Sequence, residues 1–267
     1  MSVPRRSFDT PFLAGLWLLA GFYAVLIVAM LVATASHTTP SELFDAIASP
    51  QIRYAIFLSL ITTTLATILA LWVAIPAGYL LARTSFPGKR ILDTIFDIPI
   101  VLPPLVVGLA LLILFETTIG RFFQEHVMLV TYEVPAVVLA QFTVACAFAV
   151  RTMRVAFEQG DPRTEEVARV LGASRMQAFL GVTLPDTRHG VLAAATIAWA
   201  RSLGEFGPIL VFAGATRMKT EVLPTTIFLE LSIGDLEAAI AVSLLLVLFA
   251  CGVLLLSRAL GLRGTFA

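Results

Sequence analysis

Six long apolar stretches, about 12–34, 54–82, 98–115, 134–150, 189–213 and 237–257, govern what this chain can become. About twenty such residues in helical form cross the hydrocarbon layer of a bilayer, where a helix satisfies its own backbone groups. Charged residues make up 13% of the chain, against about a quarter in soluble domains. The expected fold is therefore all-α: a polytopic membrane protein of six transmembrane helices, forming a single domain across residues 1–267. A formal net charge of zero offers little to a nucleic-acid backbone. Cys146 and Cys251 fall in different apolar stretches and read as small buried hydrophobes, not as a disulfide or a metal pair.

The first stretch follows Arg5-Arg6-Ser7-Phe8, and Ala33-Thr34-Ala35 near its end resembles a cleavage site. At about 1.5 Å per residue it reaches roughly 34 Å, whereas the core of an export signal is ~7–15 residues, so it reads as an uncleaved first span. In the polar stretch that follows, Pro40-Ser41-Glu42 looks like a helix start. The second stretch contains Pro76 and the hydroxyl cluster Ser59, Thr62, Thr63 and Thr64. Hydroxyls in a span either line a polar path or bond backbone where helices meet. Residues 83–97 read as a loop turning at Pro87-Gly88. The third stretch opens on Pro99, Pro103 and Pro104, which break or kink the helix or merely start it. Between the last two stretches, a short apolar run from Leu223-Pro224 to Leu231 is expected as a helix at the outer surface.

Residues 151–188 form the largest polar gap, and its local signals specify two short helices with a bend. Asp161 is a good N-cap and Pro162 fits the first helical position, with Glu165 and Glu166 in the early turns, where the helix dipole favours acids. Val167, Val170 and Leu171 make one apolar stripe at i, i+3, i+4 spacing. Gly172 can end that helix in the left-handed conformation, and Ser174 with Gln177 makes a capping box for the next. Such a stripe needs a groove to bury it, and at the membrane face a partner protein is the expected source.

The Glu166-Val167-Ala168 triplet, Gly172 and the group Val182-x-Leu184-Pro185 together resemble the EAA signature of ABC importer permeases, with valine at two positions where alanine and isoleucine are familiar. The resemblance implies a type I permease fold. It also implies that Glu166, Val167, Ala168, Gly172, Val182, Leu184 and Pro185 form a helix docked on an ATP-hydrolysing subunit. Basic residues agree with a cytoplasmic loop. With an inside N-terminus, thirteen Lys and Arg lie on the cytoplasmic side, while Arg53, Arg121, Arg217 and Lys219 lie outside and Arg201 lies within a span.

The fifth stretch carries Arg201 and Glu205 four residues apart, hence on one helical face. Charges at such depth either pair to fix helix packing or serve a polar route, where Arg201 would attract an anion. The surrounding Ala200-Arg201-Ser202-Leu203-Gly204-Glu205-Phe206-Gly207, then Phe212-Ala213-Gly214 and Gly234-Asp235-Leu236-Glu237-Ala238-Ala239, resemble molybdate permeases and their tungstate and sulfate relatives. Pro208 departs from that pattern, since a small residue is more familiar there, and residues 217–221 fit it less well. The implied pathway residues are Arg201, Glu205, Thr62 and Thr63.

The implied partners are a pair of ABC ATPase subunits at the cytoplasmic face, an extracytoplasmic substrate-binding protein, a second permease copy, an oxyanion and membrane lipid. No cofactor is implied. The chain carries no G-x-x-x-x-G-K-[ST] phosphate loop, so ATP hydrolysis falls to a separate subunit. His37, His126 and His189 stand in different loops and suggest no metal site. Two other classes compete. An ion-gradient-driven transporter would carry inverted repeats and mid-membrane charges on several spans, whereas one span carries a pair here. Residues 164–180 resemble a helix-turn-helix DNA reader but are fenced by spans on both sides. Co-purification with an ATPase separates the first class from both.

Overall fold

The structure, a computed structural model, describes residues 9–259 and is helical throughout its regular elements. Arg5, Arg6 and Arg263, three of the thirteen basic residues counted on the cytoplasmic side, lie outside the described residues, as does the side chain of Arg258, another of them. Among the described residues four helices are long and apolar enough to cross a membrane: α1 (Asp9–Ser36), α3 (Pro50–Arg83), α7 (Val134–Gln159) and α14 (Leu236–Ala259). A short α2 (Pro40–Ala48) precedes α3, started by a Thr39–Glu42 capping box; of the two free cysteines Cys146 is buried as expected, whereas Cys251 is exposed on α14.

The expected span 98–115 is two helices. α4 (Lys89–Val101) and α5 (Pro104–Glu116) meet at an angle of 113°, and together they have the character of a fifth crossing. Leu102 precedes a proline and is extended, with φ −65° and ψ 138°, while Pro104 opens α5 without needing an N–H donor. The prolines therefore break this span rather than merely starting it. The expected loop 83–97 is correspondingly short, because α4 begins at Lys89 behind the left-handed Gly88.

The expected span 189–213 is also interrupted. α11 (Arg188–Leu203) stops at Gly204, and α12 (Gly207–Phe212) resumes as a six-residue helix. Neither piece meets the length of a crossing by itself, so six unbroken spans are not what the chain builds. α7, by contrast, continues nine residues past the expected end at 150. Arg154 there holds Asp93 of α4 and bonds Glu158 at 2.8 Å, which supports the helix on to Gln159.

The core is a seam between α3 and α7, with α11 laid along both. Apolar helices gain little hydrophobic drive inside lipid, so close approach must come from small residues. α3 buries Ala55, Ser59, Thr62, Ala66, Ala70, Ala74 and Gly78 along one face, and α7 answers with Ala136, Ala140, Ala145 and Ala149. α6 (Thr118–His126) caps the far end of α5. α13 (Leu223–Ile233) forms where the short apolar run lies, and it is anchored at its start. Its first turn is fully buried, and the Leu223 amide donates to Ser59 Oγ at 2.8 Å.

The two breaks face each other. A Cβ on Gly108 would stand 2.7 Å from Pro208 Cα, and one on Gly207 would stand 2.9 Å from Pro104 Cβ. Gly108→Val should therefore cost about 1–3 kcal/mol by overpacking. It should lower the Tm of the detergent-solubilised protein, whereas Gly21→Val, with nothing within 4 Å, should leave the Tm unchanged.

Candidate functional site

Residues 160–187 fold into a compact elbow below the seam. α8 (Pro162–Val170) starts as the sequence dictates: Asp161 accepts from the Arg163 amide at 2.9 Å, and Pro162 takes the first position. It ends in a Schellman motif. The Ala173 amide donates to the Ala168 carbonyl at 3.0 Å and the Gly172 amide to the Arg169 carbonyl at 3.1 Å, with Gly172 at φ +99°. The Ser174–Gln177 box then opens α9 (Arg175–Ala178). A π-helical turn follows over Phe179–Thr183, closed by the Leu184 amide on the Phe179 carbonyl, and α10 (Leu184–Asp186) carries Pro185.

α8 is amphipathic in reverse. Val167, Val170 and Leu171 are 58%, 87% and 82% exposed, and with Arg163 and Glu166 they line an open hollow of about 420 Å³. The carboxylate one residue earlier, Glu165, points inward and is buried. Of the residues expected to act together, Glu166, Val167 and Gly172 lie on the exposed side and Ala168 is half-buried. Val182 and Leu184 are half-buried at the root of the elbow, with Pro185 exposed beside them.

Sequence reasoning missed what lies beneath. Glu165 Oε1 accepts from the Tyr79 hydroxyl of α3 at 2.5 Å, and its Oε2 accepts from Thr183 Oγ1 at 3.0 Å. Arg175 Nε donates to the same Tyr79 oxygen at 3.3 Å, its guanidinium 5.8 Å from the ring centroid. Tyr79 also packs against Phe179 and, edge-on, against Phe157. The available signal was the pairing of Glu165 with Ala168 on the face opposite the apolar stripe.

At the interrupted span, Arg201 and Glu205 come together as expected, but loosely. Arg201 Nη2 stands 3.6 Å from Glu205 Oε2, beyond hydrogen-bonding distance. Glu205 is buried and that oxygen has no hydrogen-bond partner, while the Arg201 side chain is 40% exposed and lies over the Phe148 ring at 5.4 Å. Thr62 and Thr63 are fully buried between helices. Thr62 Oγ1 donates to the Leu58 carbonyl at 2.9 Å, and Thr63 Oγ1 receives Gln141 Nε2 at 3.4 Å. Gln141 Nε2 also reaches the Ser202 carbonyl at 3.1 Å, so α7 holds the end of α11 directly above the break.

A separate ionic cluster closes the other end of α7. Lys219 bonds Glu133 at 2.5 Å, and Arg217 bonds Glu230 at 2.8 Å with Glu221 3.5 Å away. Burial raises the Glu221 carboxyl above the ordinary carboxylate range, with Arg217 opposing.

Residues 74–263 match the family described as the binding-protein-dependent transport system inner membrane component. The chain is 33% identical over 221 residues to the sulfate transport system permease protein CysT of Salmonella typhimurium, covering 82% of this chain and 80% of the relative. It is 37% identical over 234 residues to the molybdenum transport system permease protein ModB of Mycobacterium tuberculosis, covering 86% and 88%. In fold it is similar to a chain of a bacterial alginate ABC transporter crystallised with its alginate-bound periplasmic protein. The TM-score there is 0.76 at 17% identity, covering 97% of this chain and 96% of that one.

Proposed function

The chain belongs to the family of inner membrane components of binding-protein-dependent transport systems, and from that premise we propose that it is the permease subunit of an ATP-driven importer that carries an oxyanion, most simply molybdate, into the cytoplasm by alternating access. It is a multi-pass membrane protein. Two copies face each other around a central route, two ATPase subunits sit below, and an extracytoplasmic binding protein delivers the anion. Both termini and the elbow at 160–187 are cytoplasmic, in line with the bias of basic residues.

The observation that carries this reading is the outward apolar face of α8. Val167, Val170 and Leu171 are held exposed on an elbow whose α8 and α9 are both capped, while a carboxylate is turned inward. Lipid offers no groove at that level, so a protein surface covers it. We assign Glu166, Val167, Ala168 and Gly172 to the docking face, and Val182, Leu184 and Pro185 to the root that joins it to α11. ATP-driven closure of the ATPases draws two such elbows together, and the differential affinity of nucleotide for the closed pair supplies the shift. Arg201 and Glu205 flank the route at the interrupted span. Thr62 and Thr63 serve helix packing, since their hydroxyls are taken up by backbone and by Gln141.

Molybdate is put first on the resemblance carried by residues 200–207, 212–214 and 234–239, while relatives named for molybdenum and for sulfate both match. Tungstate and sulfate are its competitors. The test is uptake of labelled molybdate into proteoliposomes holding the permease, its ATPase and its binding protein. Uptake should require ATP inside, survive a protonophore, and yield to unlabelled molybdate or tungstate more than to sulfate. Uptake driven by an ion gradient without ATP would overturn the reading in favour of a secondary transporter.

A further inference from the structure

We propose that Tyr79, Glu165 and Thr183 form a clamp through which the elbow drives α3, making them positioning residues for coupling; this rests on the elbow being the ATPase-docking segment. The elbow is joined covalently to α7 at Gly160 and to α11 at Thr187. α3 is remote in sequence, yet it forms the longest seam of the core and carries Ser59 and Thr63 up to α13 and Gln141. Movement of the elbow reaches α7 and α11 through the chain itself. It reaches α3 through side chains: Arg83 holds the Gly160 carbonyl at 2.7 Å where the elbow leaves α7, and the contacts from α8, α9 and the π-helical turn converge on Tyr79.

The convergence is specific. Three successive parts of the elbow meet one phenol: Glu165 from α8, Arg175 from α9, and Phe179 from the π-helical turn, whose last residue Thr183 completes the grip on Glu165. The 2.5 Å bond is short and charge-assisted, and both carboxylate oxygens are used. Burying a carboxylate is unfavourable compared with an apolar filler of equal size, so stability alone does not account for it. What the polar grip adds is direction. Apolar surfaces slide, whereas a carboxylate held at both oxygens fixes the rotation of α8 relative to α3. The wider π turn brings Thr183 to that grip at the point where Pro185 cannot donate back to the preceding turn.

Tyr79→Phe and Glu165→Leu remove the grip while keeping the ring packed against Phe157 and Phe179 or filling the volume. In the reconstituted permease–ATPase assembly, each should leave ATPase co-purification intact and lower molybdate moved per ATP hydrolysed by about tenfold. The double variant should be no worse than either single one, and Glu165→Gln, which can still bond both hydroxyls, should recover most of the ratio. Loss of ATPase binding in step with transport would make the clamp a mere support of the elbow and overturn the proposal. An unchanged transport-to-hydrolysis ratio in variants that bind the ATPase would overturn it as well. Leu171→Asp tests the underlying reading separately. If that variant keeps its ATPase, the docking assignment fails, whatever the clamp variants do.

Discussion

Replacing Gly172 by proline is expected to abolish ATP-driven uptake while leaving the protein inserted in the membrane in normal amount. Gly172 sits at φ +99°, and its amide donates to the Arg169 carbonyl in the motif that ends α8. Proline cannot adopt that φ and has no amide hydrogen, a combined penalty of roughly 3 kcal/mol or more at this one position. The spans do not share it, because nothing stands within 4 Å of where a side chain at 172 would begin. The penalty therefore falls on the elbow, where α8 loses its terminus and Val170 and Leu171 lose their fixed orientation. Uptake in proteoliposomes should fall by at least about a hundredfold, as loss of ~3 kcal/mol of coupling implies. Gly172→Asn, a residue that tolerates the left-handed region, should retain much of the activity. Wild-type transport by Gly172→Pro, with normal stimulation of the ATPase, would show that no force passes through this elbow.

The elbow was legible because its signals are local. Asp161, Pro162, Gly172, Ser174 and Gln177 each act within a turn or two of themselves, and each cap forms as its residue type dictates. Its inner face was not legible, since the fate of Glu165 depends on Tyr79, 86 residues upstream. An acid in a first turn looks the same whether it faces water or a phenol. Hydropathy found the apolar stretches but not their continuity. Averaged over a window, Leu102-Pro103 and Gly204-Glu205-Phe206 remain apolar enough to read through, although a proline restriction and a glycine stop interrupt the helix at each. Nor does the helix stop where the apolar stretch does at 150: Asp93 and Glu158 neutralise Arg154, and α7 continues to Gln159. Thr62 and Thr63 illustrate a chemical ambiguity that spacing cannot resolve, because a hydroxyl bonded to its own helix and one facing a channel occur in the same sequence pattern.

Arg201→Ala is expected to lower uptake by about ten- to a hundredfold, the loss of a charged hydrogen-bonding group worth ~1.5–3 kcal/mol. Arg201→Glu combined with Glu205→Arg is not expected to restore it. If the pair existed to fix helix packing, the reversed pair would serve equally and function would return. The geometry argues otherwise. At 3.6 Å the two groups attract without bonding, and Glu205 Oε2 is left with no hydrogen-bond partner. A structural ion pair in a low-dielectric setting would be closed to hydrogen-bonding distance to offset its desolvation. Here Arg201 stays 40% exposed, its guanidinium resting on the Phe148 ring, as the proposed role on the route requires. The reversed pair would place a carboxylate at that exposed position and a guanidinium at the buried one, which on the proposed route repels an anion where Arg201 would attract it. Uptake of labelled molybdate by the two variants, normalised to ATPase bound, decides the matter: recovery in the double variant would assign the pair to packing and take Arg201 off the route.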